Sequence, residues 1–254
     1  MSVLPLFKSS YSLSKSILTY EKAGKSKKDH ADSIVDICLE NGIKKCYAVE
    51  DQLGGYLEAI ENLSAVGIDF ILGWRVNFKN SLDDSDDMTY HKNVIFTGQK
   101  TWKQFLKLHN AANRDFGDKY GACLDYKVLK DYWNDGFKLG VPHYDSYLFK
   151  NLFSKDRCCP DFGKIDPIYF LEDNDLPFDY ILRDKLREKE KSEGIRVREA
   201  KSIYYNERKD FFAWQVLKLS NRKGYGSGNT LEKPNLNYCA SREFSIEGWK
   251  EQNK

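Results

Sequence analysis

The stretch PLFKSSYSLSKSIL, Pro5 to Leu18, sets a short apolar run against a turn crowded with hydroxyls. Strand ends are where α/β proteins place reactive groups, so side chains that donate and accept hydrogen bonds at this point are candidates for ligand contact. Other reactive groups are sparse. The six cysteines, Cys38, Cys46, Cys123, Cys158, Cys159 and Cys239, show neither CxxC spacing nor the density of a disulfide scaffold, and they read as reduced, intracellular thiols. Cys158 and Cys159 are adjacent, a poor arrangement for one tetrahedral ion. The sequence contains no GxxxxGK[ST] phosphate loop, HExxH pair or GxSxG elbow. GYGSGN, Gly224 to Asn229, is glycine-rich but does not stand between a strand and a helix, and it reads as a loop.

The elements that must position these groups follow a repeating order. From Asp32, DSIVDICLENGIKKCYAVED spaces Ile34, Ile37 and Cys38 as a helix, stops at Asn41-Gly42, and continues as the apolar run CYAVE. YLEAIENLSAVGIDFILGWRV repeats the scheme, with a helix ending near Gly67 and a strand from Phe70 to Val76. NVIFTG reads as the next strand and TWKQFLKLHNAAN as the next helix. Between Arg114 and Asp166 no long period is present, and short strands and loops are expected. IDPIYFLE reads as a strand, LPFDYILRDKLREKEKSEG as a helix ending at Gly194, IRVREAKSIYY as a strand and RKDFFAWQVLKLSNRKG as a helix. Strands fed by helices through short glycine turns imply parallel βαβ units. The expected organisation is one domain over residues 1–220, with 221–254 as an extended arm packed on it.

Composition narrows the function classes. Hydrophobic residues make up 41% and aromatic residues 14%, which supports a packed core rather than disorder. Forty Lys and Arg against 38 Asp and Glu leave a net charge of +2, too little to gather a polyanion over the whole surface. The basic stretch LRDKLREKEK interleaves acids and reads as a solvated helix face. No apolar run approaches the roughly 18 residues that span a bilayer, and the N-terminus lacks a signal-peptide pattern. A cytoplasmic protein with no membrane partner is expected.

Several stretches, in this order, resemble one family. PLFKSSYSLSKSI is similar to its LHxHSxYSLLDG, YAVEDQLGGYLEAI to its AxTDHxNxxGxxxF, and VGIDFILGWRVNF to its xGIKPIxGxExxV. HKNVIFTGQKTWKQFLKL and GIRVREAKSIYYNERKDFFAWQVLKL extend the likeness along most of the chain. The family is the PHP (polymerase and histidinol phosphatase) domain of the bacterial replicative DNA polymerase III alpha subunit. The resemblance implies an α/β fold of the distorted seven-stranded (β/α) barrel type, similar to a TIM barrel. In such barrels, strand-end ligands hold about three divalent ions for phosphoester hydrolysis.

Carried over residue by residue, that ligand set is mostly replaced. Leu6 and Lys8 stand at the two histidine positions of the first motif, Gln52 at the histidine after Asp51, Arg75 at a glutamate, and Ser202 and Tyr204 at the last Asp and His. Asp51, His91 and Cys123 are the residual candidate ligands; His30, His109 and His143 match no motif position. A divalent ion beside two fixed cations at about 4 Å would be repelled by several kcal/mol. The expectation is therefore no cofactor, with Asp51 paired to Lys8 or Arg75, His91 hydrogen-bonded and Cys123 a buried apolar residue. Polymerase active-site carboxylates are not recognisable.

The function implied is a catalytically inactive binding or scaffold factor in DNA replication. Its partner would be a replication protein such as a DNA polymerase or sliding clamp, and a phage source is a further expectation. Two alternatives remain. One is a residual metal-dependent phosphoesterase or 3′–5′ exonuclease using Zn, Mn or Fe on Asp51, His91 and Cys123 with new ligands such as Glu50 or Asp125. The other is a single-stranded DNA-binding module.

Overall fold

The structure, a computed structural model, describes residues 2–12, 16–24, 31–84, 87, 89–115, 121–154, 157–220 and 241–254. Its elements follow in chain order: β1 (Leu4–Phe7), α1 (Ile34–Glu40), β2 (Lys45–Glu50), α2 (Tyr56–Ala65), β3 (Asp69–Phe78), β4 (His91–Thr97), α3 (Trp102–Asn110), β5 (Cys123–Leu124), α4 (Tyr126–Asp131), β6 (Lys138–Val141), α5 (Tyr147–Phe153), β7 (Ile168–Leu171), α6 (Asp179–Glu193), β8 (Arg196–Ile203), α7 (Phe211–Ser220) and α8 (Ile246–Gln252). The chain is α/β, as the alternation predicts. It falls into two compact units: Met1–Phe70 with Glu172–Tyr180 and Glu199–Lys254, and Ile71–Leu171 with Ile181–Arg198.

In the first unit β1 lies between β2 and β8, parallel to both, with Leu6 opposite Tyr47 on one side and Ser202 on the other. All four residues of β1 are buried, which suits a central parallel strand. The α1 helix begins where the Ser33 hydroxyl accepts the Val35 N–H, and it buries Ile34, Val35, Ile37 and Cys38. It stops at Asn41, and Gly42 supplies the left-handed residue (φ +63°) that turns the chain into β2. Gly67 (φ +74°) does the same after α2, and the Ile68 N–H returns to the Leu63 carbonyl. The expected helix, glycine and strand succession is observed at both places.

The C-terminal segment also belongs to this unit. Residues 221–240 of the expected arm, with Cys239 and the GYGSGN loop, lie outside the described residues, as does His30. Where an extended chain is expected, residues 246–252 form α8, because Ser245 caps the Gly248 N–H and Trp249 donates its indole N–H to the Val3 carbonyl at 2.8 Å. The Asn253 side chain accepts the Val3 N–H at 2.9 Å. The two ends of the chain are thus hydrogen-bonded together.

The second unit corrects the expectation of parallel units throughout. β4 runs antiparallel to both β3 and β6, while β3–β5 and β6–β7 are parallel. Among the described residues between β3 and β4 there is no helix, and antiparallel neighbours need no helical crossover. The middle of the chain also holds two helices where loops are expected. Caps set them: Asp125 accepts the Val128 N–H at 2.8 Å to start α4, and Ser146 accepts the Phe149 N–H at 3.3 Å to start α5. Seven side chains, among them Val141, Tyr147, Tyr169, Leu171 and Leu186, form one buried apolar cluster in this unit.

Candidate functional site

The hydroxyl-rich stretch follows β1, in the first unit, and its polar groups converge on Glu50, the last residue of β2. Glu50 is 2% exposed. Its Oε1 accepts the Ser9 N–H at 2.9 Å and the Tyr20 hydroxyl at 2.7 Å, and its Oε2 accepts the Ser12 hydroxyl. Ser12 in turn accepts the Asp51 N–H at 3.0 Å. Burial pushes the Glu50 carboxyl above the usual range, against the pull of these donors and of the Lys8 charge. Burial also raises the Tyr20 phenol, and the carboxylate adds to the rise. Lys8 is buried, with its Nζ 5.8 Å from the centroid of the Tyr204 ring.

A second clamp of the same design stands at β8. Glu172, 3% exposed, accepts the Ser202 N–H at 2.8 Å, the Ser202 hydroxyl at 2.9 Å and the Asn174 side-chain amide at 3.0 Å. The preceding Lys201 has its side chain fully buried and donates to the Asp173 carbonyl at 2.9 Å, with Glu243 at 3.9 Å. Burial holds the Lys201 ammonium below its ordinary value. Each clamp pairs a Lys-Ser step with a Glu-Asp step whose glutamate is buried. The sequence carries the signal twice, as FKS with YAVED and as AKS with YFLED. Glu172 and Lys201 were not singled out from sequence, and this doubled pattern would have found them.

The remaining candidates of the first unit have structural surroundings. Leu6 is an apolar residue of the β1 core with no donor atom to offer a metal. Gln52 donates its side-chain amide to the Tyr11 carbonyl at 2.9 Å. Ser202 belongs to the second clamp, and the Tyr204 carbonyl accepts the Ser16 hydroxyl at 2.7 Å. Asp51 is half-buried and joins the first clamp through its backbone.

In the second unit Arg75 donates to Asp145 at 2.5 Å. The His91 Nδ1 lies 3.1 Å from the Thr89 carbonyl, which only accepts, so Nδ1 carries the proton and Nε2 accepts the Tyr126 hydroxyl at 2.7 Å. Asn93 completes the chain by donating to the same hydroxyl at 3.1 Å. Burial pushes the His91 imidazole down to about 4. Both ring nitrogens of His91 are thus hydrogen-bonded, and the Nε2 lone pair is engaged by Tyr126. Cys123 is fully buried in β5 and directs its thiol to the Leu124 carbonyl at 3.9 Å. Asp125 caps α4 and accepts the Leu82 N–H at 3.1 Å.

Tested as metal ligands, these groups do not fit. The first unit sets a buried lysine near a Glu50 carboxylate that already accepts three hydrogen bonds, and the second offers an imidazole with both nitrogens in use. Among the described residues no group of three or more His, Cys, Asp or Glu is arranged to hold a metal ion. The basic stretch on α6 pairs internally, Lys185 with Glu188 at 2.7 Å, Arg187 with Glu190 at 2.9 Å and Lys189 with Glu193 at 2.5 Å, as a solvated face does. Among the described residues no helix is long and apolar enough to cross a membrane. Compared with known proteins, the chain matches no family model and shows no significant similarity to any curated protein.

Proposed function

We propose that this chain is a PHP-like α/β barrel without catalytic activity, which serves as a binding or scaffold factor in DNA replication. Its partner in this reading is a replication protein, a DNA polymerase or a sliding clamp. The observation that carries the reading is the Glu50 clamp: a strand-end carboxylate whose oxygens accept Ser9, Ser12 and Tyr20, with a buried lysine beside it. Groups engaged with one another in this way fill most of the Glu50 acceptor capacity, and the Ser9 hydroxyl is the buried polar atom of the clamp that has no partner. Sequence resemblance supplies the family and the setting in replication.

Two assays test the reading together. The purified chain is incubated with p-nitrophenyl phosphate and with 3′-labelled single-stranded DNA in the presence of Zn, Mn or Fe(II). It is also titrated against purified polymerase and sliding clamp on a biosensor. Saturable binding to one of these proteins without hydrolysis is the expected result. Metal-stimulated hydrolysis abolished by Asp51→Ala would replace the scaffold reading with a phosphoesterase. Salt-dependent retention of the DNA alone would replace it with a single-strand-binding module.

A further inference from the structure

The two clamps are built alike but anchored differently. Glu172 takes its Ser202 donors from within β8, so that clamp opens only when the strand does. Glu50 takes Ser9 and Ser12 from the turn beyond the end of β1. The Ser10 N–H fastens that turn to the Leu18 carbonyl at 2.7 Å, and the side chain that holds it down is Tyr11. Its ring lies nearly parallel to that of Tyr20, with centroids 6.1 Å apart and 10° between planes. It also rests against Gly54 and Gly55, where a Cβ on Gly55 would collide with the ring. Its hydroxyl donates to Glu58, and its carbonyl accepts Gln52 at 2.9 Å.

The hydrogen bonds of Tyr11 are at the surface: the residue is 37% exposed, and its bonds to Glu58 and Gln52 lie in exposed surroundings. Beneath the turn are polar groups, the Ser9 and Ser12 hydroxyls, the Tyr20 phenol and the Glu50 carboxylate, which water can solvate once the turn lifts. Lifting the turn uncovers one aromatic face, that of Tyr20, and otherwise polar groups, so it opens at lower cost than a segment that must expose a wholly apolar face. We propose that Tyr11 is the latch of a gate made by residues 9–12, which opens without unfolding the first unit and admits water and small solutes to the Glu50 carboxylate.

Three backbone amides report on the gate. The Ser9 N–H bonds to Glu50, the Asp51 N–H bonds to Ser12, and the Ser202 N–H bonds to Glu172 as a control outside the gate. Residue-resolved hydrogen exchange is measured on wild type, Tyr11→Ala, and Gly55→Ala, which keeps the tyrosine but displaces its ring. In both variants Ser9 and Asp51 should exchange at least tenfold faster while Ser202 keeps its wild-type rate. The proposal is overturned if Ser9 and Asp51 are not accelerated relative to Ser202, whether all three stay slow or all three speed up together. A Tyr11→Ala chain that loses cooperative unfolding overturns it too, because the residue would then be part of the fold and not a latch.

Discussion

Replacing Glu50 by alanine removes the acceptor shared by Ser9, Ser12 and Tyr20 and leaves Lys8, 5% exposed, without the buried carboxylate beside it. Breaking a buried charge pair from one side costs about 3–5 kcal/mol, and each stranded donor adds on the order of 1 kcal/mol unless water reaches it. The space left by the carboxylate admits water to the three donors, so the charge term dominates and a loss of about 4 kcal/mol is expected, read from urea unfolding followed by circular dichroism. Lys8→Met should also destabilise, because it leaves the Glu50 anion buried. In the double variant Lys8→Met/Glu50→Ala neither charge remains, so its loss should fall short of the summed single losses by about 1–2 kcal/mol. A Glu50→Ala loss under about 1 kcal/mol would show a strand end already open to water. Additivity within about 0.5 kcal/mol would show that Lys8 and Glu50 do not interact, and would refute the reasoning.

Three further outcomes follow. His91 is held neutral with its affinity for protons pushed down to about 4, against about 6.5 when unfolded. Its contribution is complete above pH 6.5 and lost as pH falls toward 4, about 3 kcal/mol in all, and His91→Phe should flatten the urea midpoint over that interval; a wild-type imidazole titrating near 6.5 by NMR would contradict this. Glu172→Ala should destabilise about as much as Glu50→Ala, since it strands both Ser202 donors and Asn174; a surface-like effect below about 0.5 kcal/mol would break the likeness of the two clamps. Trp249→Ala removes the indole bond that ties α8 to Val3 and should cost about 2 kcal/mol or more in thermal unfolding, whereas an unchanged midpoint would mean that α8 is dispensable.

Much of the alternation was legible because glycine marks its joints. Gly42, Gly67 and Gly194 all take positive φ at the ends of helices, as their places after periodic apolar runs imply. The α4 and α5 helices were not legible, since six or seven residues are too few for a period and their starts depend on the single caps Asp125 and Ser146. The direction of β4 was hidden for another reason: a run such as HKNVIFT has the same pattern whichever way it pairs. At the site, Lys8 was conspicuous as a charge at the end of an apolar strand. The network beneath the turn centres on Glu50, one residue before Asp51, and in a strand one residue is the difference between opposite faces.

The central claim is that the Glu50 carboxylate at the strand end is engaged by Ser9, Ser12 and Tyr20 and does not form part of a metal centre. Metal content per chain, measured by inductively coupled plasma mass spectrometry on protein purified without chelators, tests it most directly. Well under one equivalent of zinc, manganese or iron, unchanged by Glu50→Ala, is the result expected. One or more tightly held equivalents, lost on substituting Glu50 or Asp51, would contradict it.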